Sequence, residues 1–170
     1  MCVQAVERES TPPQALERLR LELQTTAPLQ DLASLARLTS LQSLSLAGSG
    51  GVTDQALAVL SPLGRTLTEL SLRDCWAITG EGLMSLCPYS RLQSLDLRGL
   101  WQLNDQDLAV LCMPGFSGLT RLSLARCDEL TSAALQIVER SSASLLSLDL
   151  SDLKALLAPS LFHVLRCVWG

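Results

Sequence analysis

"LTELSLRDCWAITGEGLMSLCP", residues 67–88, combines two periodicities in one short segment. In its first part leucine alternates with small or charged residues, which is the pattern of a strand with one buried side. In its second part apolar residues such as Leu83 and Leu86 lie three apart, as on one face of a helix. The segment therefore predicts a strand followed directly by a helix.

The same segment recurs along the chain. The pattern LxxLxL begins at residues 16, 41, 67, 92, 119 and 145, so successive starts are 25, 26, 25, 27 and 26 residues apart. One strand and one short helix cannot bury their apolar sides alone, and they do so by stacking on copies of themselves. We therefore expect a curved α/β solenoid of about six repeats, with parallel inner strands and outer helices, over residues 16–170. Residues 1–15 are expected to be a short polar segment ahead of it.

The register of the repeats predicts a core and helix starts. Strand leucines two residues apart should form a buried inner ladder: Leu44, Leu46, Leu70, Leu72, Leu95, Leu97, Leu122, Leu124, Leu148 and Leu150. The helices should begin after N-cap residues at one repeat position, which are Thr53, Thr79, Asn104 and Thr131. Asp54, Glu81 and Asp105 follow in the first turn, where acidic groups suit the helix dipole.

Composition and charge narrow the classes of partner. A chain of 170 residues that is 48% hydrophobic is long enough and apolar enough for one globular domain. The formal net charge of −4 argues against a nucleic-acid partner, since such surfaces are usually basic. No apolar run approaches the roughly 18 residues of a membrane span, and the first residues lack the basic start of a signal peptide. We expect no membrane partner and a cytoplasmic location, with the nucleus as a second compartment.

Cys75 and Cys127 both occupy the ninth position of their repeats, where other repeats carry Ser49 and Leu100. This mixture indicates an inward position that takes a small or apolar group, although a reactive or redox-sensing thiol is the alternative. No Cys/His spacing resembles a zinc site, and no nucleophile, acid and base form a set. We expect no metal, no cofactor and no catalytic residue, so the chain should not be an enzyme.

The tenth position of the repeat carries the first candidates for function. Trp76 and Trp101 occupy it in successive repeats, whereas Gly50, Asp128 and Lys154 occupy it elsewhere. Such varied occupancy predicts an exposed edge, on which two adjacent tryptophans would form an aromatic ledge of the kind that anchors protein interfaces. The alternative is that both indoles lie against the loop backbones and stiffen the stack.

Charged residues on the open side of the strands are the second group of candidates. The sequence predicts a mixed-charge patch there, composed of Arg73, Asp74, Asp96, Arg98, Arg121, Arg126 and Asp128. Both signs of charge suit a protein partner on the concave face better than a phosphate-rich nucleic acid. An ordinary solvated surface is the alternative.

The quoted segment and its echo "LTRLSLARCDELTSAAL", residues 119–135, resemble the cysteine-containing leucine-rich repeat, whose pattern runs LxxLxLxxCxxITDxxLxxL. That repeat is typical of F-box and leucine-rich-repeat proteins. The resemblance covers residues 16–170 and implies a leucine-rich-repeat solenoid that recognises substrates for an SCF-type ubiquitin ligase. In such a ligase the repeats hold a target protein, and the cullin, the adaptor and other subunits supply the ligase chemistry.

No F-box is visible in the 15 residues that precede the first repeat, and the chain ends on the apolar stretch "LFHVLRCVWG". We therefore expect that the natural protein continues, that this is a short isoform, or that another chain covers the end. The alternative function is a non-ligase scaffold, or a truncated isoform that binds a partner without recruiting the ligase.

Overall fold

The computed structural model describes residues 16–20, 29–141 and 144–154. The polar segment at 1–15 and the C-terminal stretch at 155–170 lie outside the described residues. Within the described part, one sheet of six strands has a helical segment between each pair of successive strands.

Each strand is three residues long and begins two residues after the start of an LxxLxL match. The strands are Arg18–Arg20 (β1), Ser43–Ser45 (β2), Glu69–Ser71 (β3), Ser94–Asp96 (β4), Arg121–Ser123 (β5) and Ser147–Asp149 (β6). They pair in parallel and in chain order, with Leu44 opposite Leu70 and Leu70 opposite Leu95. Equivalent positions of successive repeats therefore align across the sheet, which confirms the predicted parallel α/β solenoid.

Hydrogen bonds between neighbouring repeats continue beyond the strands. Leu72 N donates to Asp96 O at 2.9 Å, and Asp74 N donates to Arg98 O at 2.8 Å. The same bonds recur one repeat later, where Gly99 N donates to Ala125 O at 2.9 Å. The loops that follow β2, β3, β4 and β5 are therefore each hydrogen-bonded to the chain segment that follows the next strand.

The eighth position of the repeat has a left-handed backbone in every described case. Its occupants and their φ angles are Gly48 (73°), Asp74 (56°), Gly99 (75°), Arg126 (58°) and Asp152 (58°). Glycine and aspartate tolerate this region, whereas a long side chain such as that of Arg126 adopts it under strain. The chain turns sharply here, directly before the buried ninth position and the exposed tenth.

The helical segments are short. The α-helices are Leu29–Leu35 (α1), Asp54–Val59 (α2), Gly80–Met84 (α3) and Ser132–Ser141 (α4), and 3-10 helices span Ser61–Arg65, Asp107–Cys112 and Pro114–Phe116. The helix predicted after Asn104 is thus a 3-10 helix that begins only at Asp107. Asn104 Oδ1 accepts hydrogen bonds from the backbone N of Gln106 and Asp107, at 2.9 and 3.2 Å, as an N-cap side chain does, so the predicted cap is formed although the helix that follows is of the 3-10 type.

The predicted N-caps hold at two of the threonines. Thr79 Oγ1 accepts a hydrogen bond from Glu81 N at 3.3 Å, and Thr131 Oγ1 accepts one from Ala133 N at 3.2 Å. Thr53 has the extended backbone of an N-cap but no capping hydrogen bond from its side chain.

Two of the acidic residues expected to favour the helix dipole also join repeats together. The carboxylate of Asp54 accepts from Thr79 N at 2.9 Å and from Thr79 Oγ1 at 2.7 Å. Asp105 accepts from the N and Oγ1 of Thr131 at 2.9 and 2.6 Å. Each pair links the start of one helical segment to the start of the next.

The predicted inner ladder is buried from Leu44 to Leu124, with no member more than 4% exposed. Leu148 and Leu150 are only partly buried, since β6 has a strand neighbour on one side alone within the described sheet. The core also contains Tyr89, whose Oη donates to Leu60 O at 2.9 Å. Burial raises the pKa of this phenol above its ordinary value, so Tyr89 is a structural core residue.

Candidate functional site

Cys75 and Cys127 are core residues. Both are fully buried, and each Sγ lies within hydrogen-bond distance of a backbone carbonyl of an earlier repeat, 3.0 Å from Leu46 O and 3.2 Å from Leu97 O respectively. Desolvation by burial raises the pKa of each thiol to about 11. At neutral pH both are protonated thiols without access to solvent, so neither is a nucleophile or a metal ligand.

The other two cysteines of the described part lie on the helical side of the solenoid. Cys87 is half-buried, with its Sγ 3.3 Å from Met113 Sδ, and Cys112 is exposed. Both are free thiols. Within residues 16–20, 29–141 and 144–154, no group of three or more His, Cys, Asp or Glu side chains could hold a metal ion.

The two tryptophans are exposed, as the repeat position predicts. Trp76 is 53% exposed and Trp101 is 51% exposed. They follow β3 and β4, three residues after Arg73 and Arg98, whose backbones belong to the hydrogen-bonded ladder between the loops. Since neighbouring strands are about 4.8 Å apart, the indoles start from backbones separated by roughly one strand spacing. We call Trp76 and Trp101 the tryptophan ledge.

One indole is also packed on the backbone, as the alternative interpretation expects. A Cβ on Gly50 would lie only 2.7 Å from the Nε1 of Trp76, so the indole lies directly over this glycine of the preceding repeat. Any side chain at position 50 would displace the ring. The two interpretations of the sequence are therefore compatible at Trp76, because one part of the ring contacts Gly50 while about half of the side chain faces solvent.

Much of the predicted mixed-charge patch is neutralised by ion pairs within the chain. Arg73 Nε lies 3.3 Å from Asp74 Oδ2. Asp128 pairs with Lys154, which occupies the tenth position of the next repeat. Arg121 pairs with Glu69, which does not belong to the predicted patch.

The charged residues of the patch lie at two different ends of the strands. Arg121 opens β5, whereas Arg73, Asp74, Arg98, Arg126 and Asp128 all follow the ends of their strands. Arg73 and Arg98, at the seventh position of the repeat, lie four residues after the start of their strands, about 13 Å along an extended chain. The structure thus brings the tryptophan ledge together with the charged residues that follow the strands, and it leaves Arg121 at the other end.

The carboxylate of Asp96 already accepts hydrogen bonds from two nearby residues. Its Oδ1 accepts from the backbone N of Arg98 at 3.0 Å, and its Oδ2 accepts from Ser71 Oγ at 3.3 Å. Asp149 repeats the arrangement with Ser151 and Ser123. Hydrogen bonds from Ser151 are the main cause that lowers the pKa of the Asp149 carboxyl, and the positive charge of Arg98 adds a smaller effect.

Arg98 and Arg126 are the two arginines of the patch that form no ion pair with another described residue. The Nε of Arg98 is buried and has no hydrogen-bond acceptor among the described residues. Arg126 is exposed, in the strained left-handed backbone of the eighth position, one repeat further along the sheet. The sequence marks both as charged but shows nothing that sets them apart from Arg73 or Arg121.

The described helices are all too short or too polar to cross a lipid bilayer.

Comparisons with known proteins agree with the fold. Residues 65–87 match the family model described as Leucine Rich repeat. A chain from the crystal structure of the yeast Rad7 and Elc1 complex shares the fold at 22% identity and a TM-score of 0.60, covering 71% of this chain and 30% of that chain. The tropomodulin C-terminal domain of Caenorhabditis elegans does so at 15% identity and 0.63, over 84% of this chain and 92% of that one.

Internalin C2 of Listeria monocytogenes is similar at 24% identity and a TM-score of 0.61, over 88% of this chain and 57% of the internalin. The chain thus spans less than two thirds of the matched yeast and Listeria chains. All three likenesses show a shared fold, and curved repeats of this kind serve as extended binding surfaces. The described residues form a leucine-rich-repeat solenoid, an α/β fold of a type suited to protein–protein interaction.

Proposed function

We propose that this chain binds a protein partner along the loops that follow β3 and β4, with Trp76 and Trp101 as the anchors. The observation that carries the proposal is the tryptophan ledge, in which two indoles at equivalent positions of adjacent repeats are each about half exposed. Tryptophan is enriched among the few residues that dominate binding energy at protein interfaces. The hydrophobic core of the described residues consists mainly of leucines, and neither indole belongs to it.

The ledge is also held in place before any partner arrives. Hydrogen bonds such as Asp74 N to Arg98 O fix the loops to each other, and Gly50 supports the ring of Trp76. A side chain that is already ordered loses little conformational entropy on binding. Preorganisation of this kind supports the ledge as a contact surface.

The first experiment is affinity purification of the tagged chain from cells, followed by quantitative mass spectrometry. The variant Trp76→Ala, Trp101→Ala should keep the circular dichroism spectrum of the wild type and lose at least one group of bound proteins. The matched control is Met84→Ala, Met113→Ala, which removes two exposed apolar side chains from the helical side and should retain those proteins. If the tryptophan variant retains every partner, the ledge is not the binding surface.

We further propose that the bound partner is a substrate of a cullin-based ubiquitin ligase, and that the chain itself performs no catalytic step. The support is the cysteine-containing repeat type, with Cys75 and Cys127 buried at its ninth position. A chain of the same fold was solved in a complex of Rad7 and Elc1, so this fold occurs within a multi-protein assembly. The chain would work in the cytoplasm or nucleus.

The same purification tests this second step. Near-stoichiometric recovery of the cullin and its adaptor, together with ubiquitin-dependent turnover of a partner that requires the tryptophans, is the expected result. If partners depend on Trp76 and Trp101 while cullin and adaptor are absent, the ligase proposal fails. The chain would then be a non-ligase scaffold or a form that binds a partner without the ligase.

A further inference from the structure

Arg98 lies two residues after the end of β4 and three residues before Trp101, and its guanidinium is incompletely bonded. The Nε atom is buried without a hydrogen-bond acceptor in the described part of the chain, and no acidic group there forms an ion pair with the side chain. A buried polar N–H that has lost water and gained no acceptor destabilises the fold. Most buried polar groups in native proteins are bonded, so an exception needs a reason.

The neighbouring carboxylates do not supply the missing acceptor. Asp96 accepts from the backbone N of Arg98 and from Ser71 Oγ, and Asp149 accepts from Ser123 and Ser151. The charge of Arg98 lowers the pKa of Asp149, so the two groups lie close enough to interact without forming an ion pair. These acids surround Arg98, and none of them forms an ion pair with its side chain.

The equivalent arginine one repeat earlier is different. Arg73 also lies two residues after the end of its strand and precedes Trp76 by three residues, yet its Nε lies 3.3 Å from Asp74 Oδ2. In the repeat of Arg98 the position of Asp74 is occupied by Gly99, which has no side chain to offer. Equivalent positions of two adjacent repeats therefore carry one arginine that forms an ion pair, Arg73, and one that forms none among the described residues, Arg98. Each precedes one tryptophan of the ledge by three residues.

We propose that Arg98 binds a carboxylate of the partner, so that the segment bound on the tryptophan ledge carries an Asp or Glu beside a large apolar residue. This inference rests on the proposed function. Gly99 and the buried Leu100 are all that separate Arg98 from Trp101, so one short segment can reach both. The planar guanidinium matches a carboxylate with two parallel hydrogen bonds. Arg126, which has no ion-pair partner among the described residues, adds positive charge one repeat away.

The flanking acids make a carboxylate a better occupant than a phosphate. Asp96 and Asp149 stay near Arg98, and a group with a second negative charge would meet stronger repulsion from both. A carboxylate brings one charge and two acceptor oxygens, which is what a single guanidinium can satisfy.

The test uses a displayed library of short random peptides selected on the full chain. Peptides whose binding is lost with Trp76→Ala, Trp101→Ala should be enriched in Asp or Glu next to large apolar residues. The affinity of one such peptide and of its Glu→Gln or Asp→Asn counterpart is then measured by fluorescence anisotropy. With the wild-type chain, we expect the neutral peptide to bind about tenfold more weakly, as for the loss of a charged hydrogen bond.

Variants of the chain assign that difference to one residue. Arg98→Gln should weaken the acidic peptide about tenfold and bring its affinity close to that of the neutral peptide. Arg98→Lys keeps the positive charge but lacks the planar guanidinium that forms two parallel hydrogen bonds. It should therefore bind the acidic peptide more tightly than Arg98→Gln but more weakly than the wild type. Arg73→Gln is the matched control, and it should leave the affinity within about twofold because Arg73 is already paired with Asp74.

The outcomes separate this inference from the proposed function. Peptides that require the tryptophans but show no acidic preference, or that bind Arg98→Gln as well as wild type, overturn the role of Arg98 and leave the ledge intact. If no selected peptide depends on the tryptophans, the ledge and the inference fail together. Should Arg98→Gln not fold, the comparison of charged and neutral peptides on the wild-type chain still decides the question.

Discussion

Arg121 Nη2 donates to Glu69 Oε1 at 2.9 Å, although the two residues stand on strands that are not neighbours. Glu69 opens β3, Arg121 opens β5, and Ser94 of β4 lies opposite both in the register. The small side chain of Ser94 leaves room for the longer side chains to meet across the strand between them. Arg121 is therefore paired within the sheet, at the end of the strands that lies away from the tryptophan ledge.

The Arg121–Glu69 pair should contribute little to stability. The two side chains are 56% and 41% exposed, and exposed ion pairs usually contribute about 0 to 1 kcal/mol because water and salt screen them. A double-mutant cycle with Arg121→Ala and Glu69→Ala, followed by urea denaturation, should give a coupling energy in that range that shrinks in high salt. A coupling energy well above that range, or one unaffected by salt, would show that the pair is more shielded than its exposure indicates.

Leu72→Ala and Leu97→Ala should each lower the free energy of unfolding by about 2 to 5 kcal/mol, the usual range for a buried leucine truncated to alanine. Both side chains are completely buried in the inner ladder, so each substitution leaves a cavity between stacked repeats. Chemical denaturation of the two variants measures the effect. Leu146→Ala is the control, since Leu146 is 71% exposed and should tolerate truncation. Losses below about 1 kcal/mol at positions 72 and 97 would contradict the register of the core.

Periodicity predicts the fold because the repeat fixes which side chains are interior. Leu72 and Cys75 are buried for a reason visible in any one repeat, which is their position relative to LxxLxL. The tenth position is likewise readable, since the variety of its occupants implied the exposure that Trp76 and Trp101 have. Features that belong to a single repeat, in short, follow from the pattern.

Features that join repeats are harder to read from the pattern. The left-handed eighth position is occupied by Gly48, Asp74 and Arg126, which share no chemistry, so its backbone conformation is hidden in the sequence. Pairing of Asp54 with Thr79, or of Arg121 with Glu69, depends on how far a side chain reaches across the sheet. The isolation of Arg98 follows from the glycine beside it, and the sequence pattern alone does not show which arginines find partners.

Gly99→Ala should destabilise the chain more than Gly48→Ala. Both glycines have a positive φ, of 75° and 73°, where a Cβ costs about 1 to 2 kcal/mol. A Cβ on Gly48 meets no atom within 4 Å, whereas a Cβ on Gly99 would lie 2.1 Å from Asp74 Oδ1. Gly48→Ala therefore measures the backbone strain alone, and thermal unfolding of both variants compares the two costs.

If the contact with the Asp74 carboxylate causes the extra cost of Gly99→Ala, removing that carboxylate should abolish the extra cost. In an Asp74→Ala background, Gly99→Ala should cost no more than Gly48→Ala does in the wild type. An excess that persists without the Asp74 carboxylate would place the crowding at another atom of the loop.

The buried thiols should be unreactive toward alkylating reagents in the native state. Cys75 and Cys127 are completely buried with raised pKa values, whereas Cys112 is an exposed free thiol. Brief treatment with iodoacetamide at neutral pH, followed by peptide mapping, should find the label on Cys112 and not on the two core thiols. Denaturant should make all of them equally reactive. Rapid native labelling of Cys75 would mean that the loop after β3 opens readily.

The same thiols should make the fold less stable in alkali. Burial raises the pKa of Cys75 and Cys127 from 9.0 to about 11, so ionisation is easier in the unfolded chain than in the folded one. Their contribution is complete below pH 9 and is lost as the pH rises toward 11, since the unfolded chain releases these protons first. A shift of about two units corresponds to about 3 kcal/mol per thiol. Tyr89 adds a similar trend at higher pH in every variant.

Urea denaturation at several pH values between 9 and 11 measures this loss of stability. Cys75→Ala should reduce the free energy of unfolding at neutral pH, because it removes a buried side chain, but it should also make the alkaline decline shallower by about one thiol's share. Cys112→Ala is the control for replacing a cysteine that lies at the surface. Parallel pH profiles for wild type and Cys75→Ala would show that the thiol ionises as readily in the folded chain as in the unfolded one.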